Sequence, residues 1–218
     1  TGVSEVNSRL STGEVSFDAL QSLATVSAFG TQAGSKTTAS FNNALASGTA
    51  DSISLKADGG ADVDFQVSGV DDTKEFETIA LTSAGTTKNT VAIADAAGNA
   101  PAGLKTLDVD GSAPLTMTLT GGATGAAFDA SDATGKQTIT WGGNFAKITG
   151  GSAGDALDLS GSFLGATAAK TVDGGDGTDS VTLTGDIANL TAAASGTHSF
   201  SNIELAYHAN TVTEAANA

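Results

Sequence analysis

Gly174-Gly175-Asp176-Gly177-Thr178-Asp179-Ser180-Val181-Thr182-Leu183-Thr184 begins as a glycine-rich acidic turn and ends as a strand. In its second half Val181 and Leu183 alternate with Ser180, Thr182 and Thr184, so one face is apolar and the other hydroxylated. Two earlier segments share the shape: Gly150-Gly151-Ser152-Ala153-Gly154-Asp155-Ala156-Leu157-Asp158-Leu159-Ser160 and Gly121-Gly122-Ala123-Thr124-Gly125-Ala126-Ala127-Phe128-Asp129-Ala130-Ser131. Their Gly-Gly starts lie 29 and 24 residues apart, about one coil of a stacked solenoid.

Working outward, the same two-residue period recurs at 52–55, 63–67, 78–81, 90–93, 107–109, 115–119, 138–141, 157–159 and 203–205. Threonine fills many of the outward positions, where its branched carbon suits the pleat and its hydroxyl stays wet. Clusters of Gly, Asp, Asn and Ser separate the runs and supply turns. The best helical candidate, Phe17 to Val26, is short and reads equally as a strand. The chain is therefore expected to be all-β, a right-handed parallel β-helix or β-solenoid, with a β-sandwich as runner-up. Abundant Ala and Gly favour the solenoid, whose narrow interior has little room for large side chains. A soft boundary near Gly98–Gly103, where Pro101 interrupts pairing, divides a β-rich block (1–100) from a solenoid block (101–218), unless the two are one continuous domain. Phe76-Glu77-Thr78-Ile79-Ala80-Leu81 echoes Phe200-Ser201-Asn202-Ile203-Glu204-Leu205, and both read as edge or capping strands.

The 218 residues carry 24 acidic and 9 basic side chains, a formal charge of -15, with 18 Asp against 6 Glu and no Cys. Such a surface has no basic face for nucleic acid and is repelled by anionic membranes. No apolar run approaches the roughly 20 residues that span a bilayer. Without Cys there are no disulfides and no thiolate metal sites.

Residues 174–182 match G-G-x-G-x-D-x-U-x at each fixed position, with Val181 as the large apolar residue. Glycines permit a tight turn that offers carbonyl oxygens, and the aspartate adds a carboxylate. A hard cation such as Ca²⁺ takes six to eight such oxygens. Asp179 is the first candidate ligand, with Asp176 and Asp173 in the same acidic turn and the carbonyls of Gly174 and Gly177 on one side. The second segment keeps Gly150 and Asp155 but has Ala153 where the pattern wants Gly; Asp158, on the strand that follows, completes the candidate set. The first segment has Ala126 in place of the aspartate and reads as a silent copy. The competing reading is a Gly-Asp turn that merely reverses the chain. Asp51, Asp58, Asp62, Asp64, Asp71 and Asp72 read as solvated surface.

The nonapeptide, its partial copy, the Phe-x-x-Ile-x-Leu strands and the Thr/Ala/Gly tracts resemble the RTX-type surface-layer proteins of Gram-negative bacteria. The resemblance implies type I secretion, an extracellular β-solenoid, calcium at the Gly-Asp turns and assembly with further copies of itself into a lattice. Carried onto this chain, ligation falls on Gly174, Gly177 and Asp179, and then on Gly150 and Asp155. The tandem nonapeptide array of that family is missing. Thr1 is not an initiator Met and no signal peptide is visible, which reads as a fragment of a longer protein.

Enzyme motifs are absent: there is no H-E-x-x-H, no G-x-S-x-G and no phosphate-binding loop. His198 and His208 read as flanking one strand, too far apart to share a metal. One Trp, one Tyr and one Arg leave little for a sugar-cleaving site. The expectation is a calcium-stabilised, self-assembling surface protein with no enzymatic activity, no nucleic-acid partner and no membrane insertion. Cell-surface polysaccharide is a further candidate partner. The alternative is a secreted adhesin or biofilm-matrix module that binds glycans or a receptor.

Overall fold

Every alternating run puts apolar side chains on one face only, so each strand needs a neighbour above, below and across. A computed structural model shows how that need is met; it describes residues 2–71, 73–95, 97–119, 121–142, 144–160, 169–184 and 198–208. The chain winds as a parallel β-solenoid in which successive strands alternate between two nine-stranded sheets. The odd sheet stacks β1 (Glu5–Arg9), β3 (Thr25–Phe29), β5 (Ser52–Asp58), β7 (Thr78–Ser83), β9 (Thr106–Asp110), β11 (Ala127–Asp129), β13 (Lys147–Thr149), β15 (Thr171–Asp173) and β17 (Ser199–Ser201) in chain order. The even sheet stacks β2 (Glu14–Leu20), β4 (Ser35–Phe41), β6 (Asp62–Gly69), β8 (Asn89–Ala94), β10 (Leu115–Leu119), β12 (Gln137–Trp141), β14 (Ala156–Ser160), β16 (Ser180–Thr184) and β18 (Leu205–His208). A 3₁₀ turn at Asn43–Leu45 is the single helical element among the described residues.

Register places like on like. In the odd sheet Ile53, Ile79, Leu107, Phe128, Ile148 and Val172 form one inward column. In the even sheet Val63, Val91, Met117, Ile139, Leu157 and Val181 form another. All twelve are 3% exposed or less. Between the columns Phe128, Trp141 and Phe145 pack edge to face, with ring centroids 4.9 and 5.6 Å apart. Stacked rungs with apolar residues in register thus recover a core from a chain poor in large apolar residues.

The solenoid expectation holds; Phe17–Val26, open between helix and strand, is strand at both ends, the last residues of β2 and the first of β3, and three details are corrected. Ile203 and Glu204 sit in a corner before β18, because the Glu204 and Leu205 amides both donate to the Asp179 carbonyl. Phe76–Leu81 is no cap: β7 lies mid-sheet between β5 and β9, and Phe76 turns inward onto Phe41, with ring centroids 5.4 Å apart. Pro101 sits buried in the corner between β8 and β9, while pairing passes it unbroken from β7 to β9 and from β8 to β10.

Candidate functional site: the stacked acidic corner

Each coil has two corners, one entering each sheet. At some corners the backbone of the next coil satisfies the entering N–H, as the Lys136 carbonyl does for Leu115, but at six corners of the described residues the side chain of the equivalent residue one coil later accepts it. Entering the even sheet, Asn89 Oδ1 accepts from Ala61 at 2.9 Å, Asp155 Oδ1 from Gln137 at 2.7 Å, Asp179 Oδ1 from Asp155 at 2.6 Å, and Glu204 Oε2 from Asp179 at 2.7 Å. Entering the odd sheet, Glu77 Oε2 accepts from Asp51 at 2.9 Å and His198 Nδ1 from Lys170 at 3.2 Å.

The two aspartates of the Gly-Gly motifs are therefore neighbours in one column, consecutive rungs apart. The Gly150–Asp155 turn leads from β13 to β14, and Gly174–Asp179 leads from β15 to β16 directly over it. The glycines make that stacking possible. A Cβ on Gly150 would lie 1.9 Å from the Gly174 carbonyl oxygen, and one on Gly174 would lie 2.0 Å from the Asn202 carbonyl oxygen. Gly175 and Gly177 have positive φ, 89° and 122°, which side chains rarely adopt. The Gly121 segment, by contrast, leads from β10 into β11 of the odd sheet. It is not a third copy of the acidic corner, because the same Gly-rich composition serves both corners of a coil.

The predicted ligands separate in space. Asp155 and Asp179 are buried, at 1% and 0% exposure. Asp155 spends both carboxylate oxygens on amides, Oδ1 on Gln137 and Oδ2 on Gly151 at 2.8 Å. Asp179 spends Oδ1 on Asp155, while Oδ2 is buried with no hydrogen-bond partner among the described residues. Asp173, at the end of β15, accepts from Gly175 N and Asn202 Nδ2. Asp176 is exposed at the turn, as is Gly177. Asp158 stands elsewhere, on the outer face of β14, accepting from Thr184 Oγ1 at 3.0 Å. Among the described residues no three of His, Asp or Glu gather as a metal cage. His198 precedes β17 of the odd sheet and His208 ends β18 of the even sheet, so they do not flank one strand.

Burial sets the electrostatics. It pushes the Asp155 carboxyl up to about 6 against two amide bonds that favour the charged form, with Asp179 adding repulsion. Asp179 is also raised, first by burial and then by Glu204, Asp173 and Asp176, while its bond from the Asp155 amide pulls the other way. The corner is a place where negative charge is held under strain of desolvation, and where one oxygen is still unmatched.

Sequence reasoning found two members of the ladder and missed Asn89, Glu77, His198 and Glu204. Their signal is a polar residue at the first position of a strand, as Asn89 is, or immediately before it, as Glu77, His198 and Glu204 are. It is hidden because the coil length varies: Ile139 pairs with Leu157, 18 residues on, but Val63 with Val91, 28 residues on. Compared with models of known families, with curated proteins and with solved structures, the chain matches none.

Proposed function

We propose that this chain is a structural module of a secreted bacterial surface layer, stiffened by calcium and built to pack against copies of itself. The observation that carries the reading is Asp179 Oδ2: a buried carboxylate oxygen with no donor, in a glycine turn stacked on a second acidic turn. An oxygen-only donor set of this kind suits a hard cation. Asp179 would hold the ion with carbonyls of the 174–179 turn, aided by Asp173 and Asp155; too few carboxylates converge for an ion to be held without carbonyls or water. Bound calcium would offset the raised energy of two buried carboxylates and tie one coil to the next, so binding would be coupled to folding. The charge of -15 makes divalent counterions doubly useful, since unscreened copies repel one another.

Titration calorimetry and thermal melts on chelator-treated protein test this. Millimolar Ca²⁺ is expected to raise Tm by several degrees beyond NaCl of equal ionic strength, with measurable binding heat. Asp179→Asn, which keeps the Oδ1 acceptor, should abolish most of that calcium-specific rise. No calcium heat, together with identical melts in chelator and calcium, would remove the reading.

A further inference from the structure

We propose that the outer face of β8, β10 and β12 is the surface through which two copies of this chain pack, sheet against sheet. The proposal rests on the assembly reading above and names the face it uses. These are the only three consecutive strands of either described sheet without a charged residue: Asn89–Ala94, Leu115–Leu119 and Gln137–Trp141. Their outward positions are Thr90 and Ala92, Thr116 and Thr118, Thr138 and Thr140. Register sets Thr90, Thr116 and Thr138 in one column, with Thr118 beside Thr140 in the next. Strand spacing fixes the columns at about 4.8 Å per step and neighbouring hydroxyls along a strand at roughly 6.7 Å. The result is a flat grid of methyl and hydroxyl groups. At its β6 edge the grid dips, over the exposed Ala92, into a shallow trough with Thr90, Thr116 and Thr118 on the near side and Lys36, Asp62 and Asp64 on the far side, a recess that a threonine from a second sheet can enter from the uncharged side.

Charge selects the occupant. A body of net charge -15 resists its own copies everywhere except where charge is missing, and interface centres are depleted of charged residues. The opposite face is unsuited: Asp108, Asp110 and Asp129 stand on the odd sheet with Asp132 in the turn after it, and the Asp108 carboxyl is raised first by burial and then by repulsion from the other three. On the even sheet the nearest charges stand at the rim, Asp62 and Asp64 on β6 with Lys36 of β4 beside Asp64, Asp158 on β14, and Lys88 and Lys136 at the entering corners. A face that meets itself across a two-fold axis is self-complementary, and sheets pack this way at about 10 Å separation.

The chain has no cysteine, so single thiols report the contact cleanly. Thr116→Cys, Thr118→Cys and Thr140→Cys, made one at a time, are compared with Ser54→Cys and Thr171→Cys on the odd sheet, under mild oxidation in calcium. At least one of the first three is expected to cross-link tenfold or more faster than either control. Thr118→Lys with Thr140→Lys should weaken self-association tenfold or more in sedimentation, whereas Ser54→Lys with Thr171→Lys, the same change in net charge, should not; circular dichroism checks that both pairs fold. Equal cross-linking on both sheets, or an even-sheet lysine pair that assembles like the parent, overturns this face while leaving assembly standing. A parent that stays monomeric in calcium at every concentration overturns both. Loss of polysaccharide binding in the even-sheet lysine pair, with self-association intact, gives the face to polysaccharide and also overturns the proposal.

Discussion

At the residue scale, the acidic corner depends on atoms that are absent as much as on those present. Gly150 and Gly174 let one turn lie on the next with carbonyl oxygens where a methyl group would otherwise sit. Gly150→Ala is expected to destabilise the protein by about 3 kcal/mol or more, because the blocking atom is backbone and cannot swing away. Gly13→Ala, with nothing within 4 Å of the new carbon, should change stability by less than about 1 kcal/mol. Urea melts of the two variants check the contrast; equal midpoints would show that the turns are free to separate. In the sequence alone, glycine reads as freedom to turn. At Gly150 and Gly174, where φ is not positive, its purpose is close approach, which only the stacked neighbour reveals.

At the element scale, the strands legible in the sequence were those with at least two inward apolar residues, such as Leu115-Thr116-Met117-Thr118-Leu119. The three-residue strands β11, β13, β15 and β17 each carry one inward apolar residue, Phe128, Ile148, Val172 or Phe200, and a single residue shows no period. The columns supply what each strand lacks: Phe128, Ile148 and Val172 each lie between two others, and Phe200, on the last described strand of its sheet, lies against Val172 alone. The polar ladder is built the same way, and it predicts a pH response in chelated protein. The Asp155 carboxyl stands near 6 folded and near 4 unfolded, so the folded chain holds the proton more tightly. Its contribution to stability is complete below about pH 4 and is lost as the pH rises through 6. Acidification from pH 7 to 5 should therefore raise Tm, by an amount worth about 1 kcal/mol from this carboxyl, and the raised Asp179 carboxyl acts in the same direction. Asp155→Asn should flatten that rise while lowering Tm overall, because an amide cannot accept from both Gln137 and Gly151. A parent protein that loses stability between pH 7 and 5 would show that the two amide bonds outweigh burial.

At the scale of the whole molecule, each coil touches only its neighbours, so stability is a sum of coil and interface contributions along one axis. The apolar cluster runs without a break from Val6 to Val181, across the boundary that composition suggested near residue 100. Support is uneven along it. In the middle, the Phe128–Trp141–Phe145 stack is 1% exposed or less, with sheet on both sides. At the far end Phe200, in register with the fully buried Val172, is 41% exposed, and Leu205 and Tyr207 are 43% and 55% exposed. Among the described residues this last rung has a partner on one side only, so it opens at a cost well below that of the interior. Amide hydrogen exchange is expected to show protection highest in β10, β12 and β14 and lower by a factor of 100 or more in β17 and β18. Assembly through the face of β8, β10 and β12 would slow exchange near the middle and leave the end rungs as they were. Uniform protection from β1 to β18 would mean that the stack opens only as a whole, and that its coils are coupled far more tightly than neighbour contacts explain.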